Sequence, residues 1–225
     1  MQDITNYQSF TSNFPNALAK IVENISTEIN DLIIRYYLQK VHIRSVRSIG
    51  RWTDKDELRA LFWLASDCPR GASALEIGSY LGASSCYIAA GLARVNGHLF
   101  CVDTWRNDAM TEGRRDTFDE FVRNIEPIRG RITIVRKRSG DLVDNDLSYP
   151  LNLVFIDGDH SYTAVKGDFE QVQRWMASDG VIAFHDCNVI GHIGVSHAIG
   201  EILSSGNWVI AGMVNSLLWI KPVAK

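Results

Sequence analysis

Three ionisable side chains follow one short apolar run of the sequence. Asp157, Asp159 and His160 stand close together, directly after the run Leu-Asn-Leu-Val-Phe. Carboxylates and an imidazole in this arrangement can cap a turn, bind a metal ion or move a proton. A second polar pair, His185 and Asp186, follows the apolar run Gly-Val-Ile-Ala-Phe. If both runs are neighbouring parallel strands, their carboxyl ends bring these polar groups together.

A glycine loop, Leu-Glu-Ile-Gly-Ser-Tyr-Leu-Gly-Ala-Ser-Ser, lies earlier in the chain. Gly78 and Gly82 allow a tight turn and a close backbone approach to a ligand, and the following helix offers free N–H groups. The spacing is not the G-x-G-x-x-G of a dinucleotide site. Glu76 would oppose a pyrophosphate but suit a cationic amino group. Asp103 ends the next apolar run, where a carboxylate commonly binds ribose hydroxyls.

The elements that would position these residues alternate regularly from Ala72 onward. Strands are predicted at residues 73–78, 97–103, 131–137, 151–157, 180–186, 208–214 and 217–222. Helices are predicted at residues 84–95, 114–128, 139–146, 161–176 and 194–206. Short β-branched runs alternating with helices predict an α/β fold. We expect a Rossmann-like, doubly wound, seven-stranded, mostly parallel sheet with helices on both faces.

The residues before this alternation predict helices only. One helix should start near Pro15 and carry an apolar face that includes Ile25, Ile29 and Leu32. A second is predicted over residues 53–65, with Thr53 as its N-cap. We therefore expect an N-terminal helical extension over residues 1–70, acting as a lid or dimer contact, and one domain over residues 71–225.

Composition narrows the class of protein. A net charge of −3 and a pI near 6.1 give no basic footprint, so nucleic acid is not an expected partner. No apolar run approaches the ~20 residues of a membrane helix, and the first residues lack the pattern of a secretory signal. The cysteines show no C-x-x-C pairing and are interpreted as reduced thiols of a cytoplasmic protein. They are Cys68, Cys86, Cys101 and Cys187.

Four motifs in order carry a family resemblance. Leu-Glu-Ile-Gly-Ser-Tyr-Leu-Gly-Ala-Ser-Ser, Cys-Val-Asp-Thr-Trp, Phe-Ile-Asp-Gly-Asp-His-Ser-Tyr and Ile-Ala-Phe-His-Asp-Cys each close a predicted strand. Together they resemble class I S-adenosylmethionine-dependent methyltransferases. The nearest branch is that of small-molecule O-methyltransferases, of the catechol and caffeoyl-CoA type and the macrocin-type sugar O-methyltransferases of methyltransferase family 24. The resemblance covers residue 73 to the end of the sequence.

The resemblance implies a set of cofactor-binding residues. The loop around the methionine portion of S-adenosylmethionine would comprise Glu76, Gly78, Tyr80, Gly82 and Ser84. Asp103 would bind the ribose, with Thr104 and Trp105 beside the adenine and the indole face packed on its ring. Ser139 and Gly140 would contact the adenine edge. Tight turns at the glycines and a helix cap at Ser84 are the alternative structural roles.

The resemblance also implies a catalytic site, with His160 and Asp157 as its catalytic residues. A divalent cation, Mg²⁺ or a similar ion, would be held by Asp157, His185 and Asp186, where Asp157 acts as metal ligand or active-site acid, and His160 would be the base. The catechol pattern has an acid and an amide where this chain has His185 and Asp186. Two alternatives therefore stay open: Asp186 ligates while His185 orients the substrate, or no cation binds. His192 is interpreted as a solvated loop residue and His197 as a helix-face residue.

These residues predict an O-methyltransferase that acts on a hydroxylated small molecule such as a sugar, a glycoside or a phenol. The alternatives are a metal-dependent, hydroxylase-like oxidoreductase on the same fold and a non-catalytic binding module. The amphipathic N-terminal helix favours a homodimer, and no feature predicts a membrane partner.

Overall fold

A computed structural model of the chain describes residues 25–43, 46–107 and 113–223. The chain divides between Tyr36 and Tyr37 into two units, and the second unit contains the whole sheet. Residues 25–40 are helical and are called α1. The predicted helix start near Pro15 lies outside the described residues.

The sheet has seven strands in the order β3-β2-β1-β4-β5-β7-β6. The strands are β1 (Ser73–Ile77), β2 (His98–Val102), β3 (Ile132–Val135), β4 (Leu151–Ile156), β5 (Met176–Phe184), β6 (Trp208–Val214) and β7 (Leu217–Pro222). Neighbours from β3 to β5 pair in parallel, and β7 pairs antiparallel with both β5 and β6. The predicted mostly parallel seven-stranded sheet is confirmed, with the last two strands forming an antiparallel hairpin.

The described residues of the second unit also form five α-helices that follow α1. They are α2 (Lys55–Ser66), α3 (Ala83–Val95), α4 (Phe118–Ile125), α5 (Tyr162–Val172) and α6 (Ile193–Ser204). The short helix predicted near residues 139–146 is found as two separate 3-10 helices, Ser139–Asp141 and Asp144–Asp146, and not as one α-helix. Asp146 explains the difference: its carboxylate binds Nζ of Lys137 and the Val143 N–H, and such side-chain contacts compete with helical hydrogen bonds.

The N-cap of α2 is Asp54, and the prediction of Thr53 is wrong by one residue. The Asp54 carboxylate accepts hydrogen bonds from the N–H groups of Asp56 and Glu57, at 2.8 and 2.9 Å. In return, Glu57 Oε2 accepts from the Asp54 N–H at 2.9 Å, which completes a capping box. The Thr53 side chain is instead buried.

The core occupies both faces of the sheet. Strand β1 is buried along almost its whole length, as expected of a strand covered by helices on both sides. Val165 and Phe169 of α5 and Ile199 of α6 pack into the core cluster that includes Val154 of β4. Full burial of each such side chain contributes about 1.5–3 kcal/mol. Within residues 25–43, 46–107 and 113–223, no helix combines the length and apolar character needed to cross a bilayer.

Strand β1 lies at the point where the strand order reverses. Its neighbours are β2, which follows it in the chain, and β4, which belongs to the other half of the sheet. In open α/β sheets the crevice outside the carboxyl ends of such strands is the usual ligand site. The loops after β1, β4 and β5 therefore define the site.

Candidate active site

Pairing of β1, β4 and β5 continues one residue beyond the strand ends. The Asp157 N–H donates to the Ile77 carbonyl at 2.8 Å, and the His185 N–H donates to the Ile156 carbonyl at 3.1 Å. Because Ile156 pairs with Phe184 in the sheet, the residues that follow them lie side by side. This register brings the Asp157 and His185 side chains together.

Gly78 follows β1 at this edge of the sheet and lies against the backbone of the loop after β4. It has φ +89°, and a Cβ built there would lie 2.1 Å from the carbonyl oxygen of Asp157. A side chain at this position would push the glycine loop away from β4, since the colliding atom belongs to the backbone. Glycine at position 78 is therefore required both by its conformation and by the approach of the two loops.

The predicted cation ligands form one cluster. Nδ1 of His185 lies 3.2 Å from Oδ1 of Asp157 and 3.4 Å from Oδ1 of Asp186. Their ligand atoms lie within 4.8 Å of one another. Nδ1 of His185 is buried and makes no hydrogen bond within the described part of the chain. A buried imidazole nitrogen aimed between two carboxylates is the donor set that a divalent cation requires, so the residues fit such an ion.

Asp186, a member of this cluster, has an unusual backbone conformation. Its φ of +57° lies in the left-handed region, which non-glycine residues adopt infrequently and at an energetic cost. Its carboxylate lies near three imidazoles, since Oδ2 is 3.2 Å from Nε2 of His160 and 3.0 Å from Nδ1 of His192. The residue with the strained backbone is therefore the one whose carboxylate lies near all three imidazoles.

Glu57 of α2 completes the surroundings of His185 through a contact that was not predicted. Nε2 of His185 lies 3.0 Å from Oε2 of Glu57, and both side chains are buried. The other carboxylate oxygen accepts from the N–H and the hydroxyl of Ser216, at 2.8 and 2.6 Å. The capping-box pattern of α2 was readable in the sequence, but the partner 128 residues away was not.

The pKa of His185 depends on the three carboxylates that surround its imidazole. Burial would lower the pKa of His185, but Asp157, Asp186 and Glu57 outweigh burial and raise it. Burial likewise works against ionisation of Glu57, yet hydrogen bonds from His185 and Ser216 hold the pKa of its carboxyl below the usual range. The carboxylates around His185 therefore favour a positive charge there, either a proton on the imidazole or a cation beside it.

His160 lies in the same cluster, as predicted from its spacing after Asp157. Its Nε2 atom is 3.8 Å from Oδ1 of Asp157 and is buried without a hydrogen bond in the described residues. Burial would lower the pKa of His160, but Asp157 and Asp186 outweigh it and raise the pKa. The imidazole stacks on His192 with ring centres 4.0 Å apart. His192 is thus part of the cluster, and its interpretation as a solvated loop residue is wrong.

Two cavities meet at this cluster. The first, of about 340 Å³, is lined by residues that include Asp103, Thr104, Ser139 and Asp168. The second, of about 330 Å³, is lined by residues that include Trp52, Leu81, His160 and Asp186. Gly78, Tyr80 and Asp157 line both cavities. The two cavities therefore adjoin at the Gly78–Tyr80 loop and at Asp157.

Asp103 lines the first cavity and accepts hydrogen bonds from two backbone N–H groups. Its carboxylate accepts from the N–H of Tyr80 at 2.9 Å and from the N–H of Trp105 at 2.7 Å. Burial raises the pKa of Asp103 against these hydrogen bonds. Thr104 and Ser139 line the same cavity, whereas Gly82 and Ser84 line the second one.

Three predicted cofactor residues, Trp105, Glu76 and Gly140, line neither of the two cavities. Trp105 is fully buried, donates its indole N–H to the Tyr80 carbonyl and packs on Phe121, so the predicted packing of its face on adenine does not fit. Glu76 is also fully buried beneath the loop, where Ser85 donates to its carboxylate, and burial raises its pKa. Gly140 is exposed beside the cavity.

Asp168 is a cavity residue that the sequence did not reveal, because it occupies the inward face of an ordinary amphipathic helix. It is 6% exposed and lines the first cavity together with Ser139. Burial, with the negative charge of Asp159, raises the pKa of Asp168 to about 6 despite a hydrogen bond with Ser139. The described residues thus hold a carboxylate that is partly protonated near neutral pH inside the cavity.

The Asp168 carboxyl should make stability depend on pH. Since its pKa in the folded chain, about 6, exceeds the unfolded value of about 4, the folded chain binds its proton more tightly. The free energy of unfolding should fall as the pH rises through this window. Asp168→Asn should remove the fall and raise the free energy of unfolding by about 2 kcal/mol at pH 7.5 but not at pH 4. Urea unfolding without added ligand measures both values.

Asp119→Asn, at an exposed position of α4, is the matched control and should keep the wild-type pH profile. An Asp168→Asn chain whose unfolding free energy tracks wild type at both pH values would contradict the role assigned to burial.

Several known proteins are similar to this chain in sequence or in fold. The curated protein y4gI of Sinorhizobium fredii is 28% identical to this chain over 159 residues. The match covers 67% of this chain and 17% of y4gI, so the chain spans about a sixth of the length of that relative. The solved O-methyltransferase NovP has a TM-score of 0.64 at 12% identity, covering 88% of this chain and 100% of NovP. The O-methyltransferase from Bacillus cereus, solved with S-adenosylhomocysteine (SAH), has a TM-score of 0.59 at 17% identity, covering 85% and 90%.

The family model described as a methyltransferase domain matches residues 75–187. That range is half of the chain and contains the glycine loop, Asp103, Asp157, His160 and the His185–Asp186 pair. The chain belongs to this family of methyltransferase domains.

Proposed function

We propose that the chain is an S-adenosylmethionine-dependent O-methyltransferase that methylates a hydroxyl group of a small molecule with the help of a divalent cation. The observation that carries this proposal is the junction of the two cavities at Gly78, Tyr80 and Asp157. One cavity has the lining expected of a nucleoside site, and the other contains the candidate base and cation ligands. Their junction is where a methyl group would pass from one ligand to the other.

The first cavity suits the adenosine portion of the cofactor. Asp103 would accept hydrogen bonds from both ribose hydroxyls, as carboxylates at this position commonly do. Ser139 and Asp168 would then lie beside the adenine, whose amino group is a hydrogen-bond donor. The methionine portion would run past Gly78 and Tyr80 toward the N-terminus of α3, where Gly82 and Ser84 line the second cavity.

The second cavity suits a small, ring-shaped acceptor. Its volume of about 330 Å³ is at the lower end of the range of small-molecule sites. Trp52 is 63% exposed there and offers a flat aromatic surface to a sugar or phenol ring. The imidazoles of His160 and His192 lie on the same lining, so a stacked ring would present its hydroxyls to them.

His160 is the proposed base. When bound, the cofactor supplies a methyl group on a positively charged sulfur, which is already a good leaving group. Nε2 of His160 would take the proton of the acceptor hydroxyl as the hydroxyl oxygen accepts the methyl group that the bound cofactor would supply. Nε2 suits this role because it has no hydrogen-bond partner in the described residues and lies 3.2 Å from Oδ2 of Asp186, whose charge would stabilise the protonated imidazole. Orientation by the two cavities supplies the in-line geometry.

Asp157, His185 and Asp186 are the proposed cation ligands. A bound divalent cation would lower the pKa of a nearby acceptor hydroxyl and neutralise the carboxylates. His160, Asp186 and His192 form a second group with ligand geometry, but a cation there would occupy the proposed base. His160 and His192 also stack face to face and share one oxygen of Asp186, so we assign the cation to the His185 group.

Asp103→Ala should weaken cofactor binding. The substitution removes the proposed ribose contacts, and hydrogen bonds to a charged group contribute about 1.5–3 kcal/mol, so the affinity for SAH should fall roughly 10–100-fold. Isothermal titration calorimetry of the full-length chain measures it. Asp119→Asn is again the control. An unchanged SAH affinity would refute the role of Asp103, and a wild-type chain that binds no SAH at millimolar concentration would refute the proposed function.

His160→Ala should lower methyl transfer by about 10²–10⁴-fold, the usual contribution of a positioned base, and leave SAH affinity within twofold. Transfer from radiolabelled S-adenosylmethionine to a panel of sugars, glycosides and phenols is the assay. His197→Ala, which changes an exposed histidine of α6, should retain wild-type transfer. Retained transfer in His160→Ala would place the base elsewhere, and transfer to a structured RNA alone would overturn the small-molecule acceptor.

We also propose a homodimer that uses α1. Four apolar side chains of α1 follow coiled-coil spacing and are at least half exposed, namely Ile25, Ile29, Leu32 and Tyr36. Sedimentation equilibrium should therefore give a dimer, and Ile29→Lys should shift it to monomer at micromolar concentration. Glu28→Lys, at the neighbouring exposed position, is the control and should remain dimeric. A monomeric wild-type chain would contradict this proposal.

A further inference from the structure

Glu57 makes contacts that a helix cap does not require. A capping box needs only its hydrogen bond from the Asp54 N–H. The same carboxylate also binds Nε2 of His185 and both donors of Ser216, and the side chain is 2% exposed. Glu57 belongs to α2, outside residues 75–187 of the family match. It therefore links α2 to the ends of β5 and β7.

The contact with Glu57 places a proton on Nε2 of His185. A carboxylate can only accept, so Nε2 must be the donor in this 3.0 Å contact. A histidine ligates a cation only as the neutral ring, and in that ring Nδ1 is then the nitrogen with a lone pair for the ligand. Nδ1 is buried, without a hydrogen bond in the described residues, and lies between the carboxylates of Asp157 and Asp186. A carboxylate behind a ligating histidine is a recurrent way of fixing its tautomer and ring orientation.

We propose that Glu57 is a positioning residue that holds His185 in the Nε2–H tautomer and so presents Nδ1 to a divalent cation between Asp157 and Asp186. This inference rests on the cation in the proposed function. It assigns part of the site to an N-terminal helix that contributes no ligand itself.

Glutamine cannot replace glutamate here without conflict. One carboxylate oxygen faces the Asp54 N–H and His185 Nε2, and the other faces the N–H and hydroxyl of Ser216. Both oxygens thus face donors, and an amide NH₂ group would meet a donor in either orientation. Glu57→Gln therefore keeps the shape of the side chain but disturbs its hydrogen bond with Nε2 of His185.

The test is Mn²⁺ binding by the full-length chain, measured by calorimetry in the presence of SAH. Glu57→Gln should bind Mn²⁺ about 10–100-fold more weakly than wild type, the usual effect of losing such a partner. Its SAH affinity should stay within twofold, which shows that the fold is intact. Ser216→Ala is the matched control: it removes one contact of Glu57 but not the one with His185, and should keep Mn²⁺ affinity within threefold.

A second readout tests the tautomer directly. In the Mg²⁺-loaded wild-type chain, ¹⁵N NMR of His185 should show a proton on Nε2 and none on Nδ1, and Glu57→Gln should lose this single tautomer. Wild-type Mn²⁺ affinity in Glu57→Gln, an equal loss in Ser216→Ala, or an Nδ1–H tautomer in wild type would each overturn the inference. A wild-type chain that binds SAH but no Mn²⁺ would overturn it as well, while cofactor binding would stand.

Discussion

A buried imidazole among three carboxylates is the interaction on which the site depends. His185 contacts Glu57 through one nitrogen and lies near Asp157 and Asp186 through the other. The side chains of His185 and Glu57 are buried, and isolated buried charges are very costly, so the negative charge of Glu57 is stabilised by a positive charge beside it. A cation, or a proton on His185, would supply that charge at the ends of β4 and β5. In the proposed function, a cation there would also help an acceptor hydroxyl group to lose its proton.

The register of the sheet places these residues beside the glycine loop. Parallel pairing of β1, β4 and β5 brings the glycine loop, Asp157 and His185 to one edge. Gly78 permits contact between the first two loops, because a side chain there would collide with the Asp157 backbone. The cavity that contains Asp103 and the cavity that contains His160 then meet at a common wall. Fold and proposed chemistry are thus linked through backbone register more than through any single side chain.

Much of the fold was predictable from the sequence because burial leaves a periodic signal. Apolar runs gave all seven strands, and the residues directly after them included Asp103, Asp157 and the His185–Asp186 pair. Segments without such a signal were predicted less well. The turns over residues 139–146 depend on the Asp146 contacts, and Trp105 turned inward because its indole N–H has a partner in the Tyr80 carbonyl. Glu57 and Asp168 were missed, since each sits on an ordinary amphipathic helix and gains its role from distant residues.

The central claim is that one junction joins a cofactor cavity to a cation site. Its most direct test is a crystal structure of the chain grown with SAH and Mn²⁺, with anomalous diffraction to locate the metal. The account predicts a manganese peak between Asp157, Nδ1 of His185 and Asp186, with the SAH ribose on Asp103 and its sulfur at the wall formed by Gly78 and Tyr80. A manganese peak away from His185, or SAH bound outside the Asp103 cavity, would contradict it.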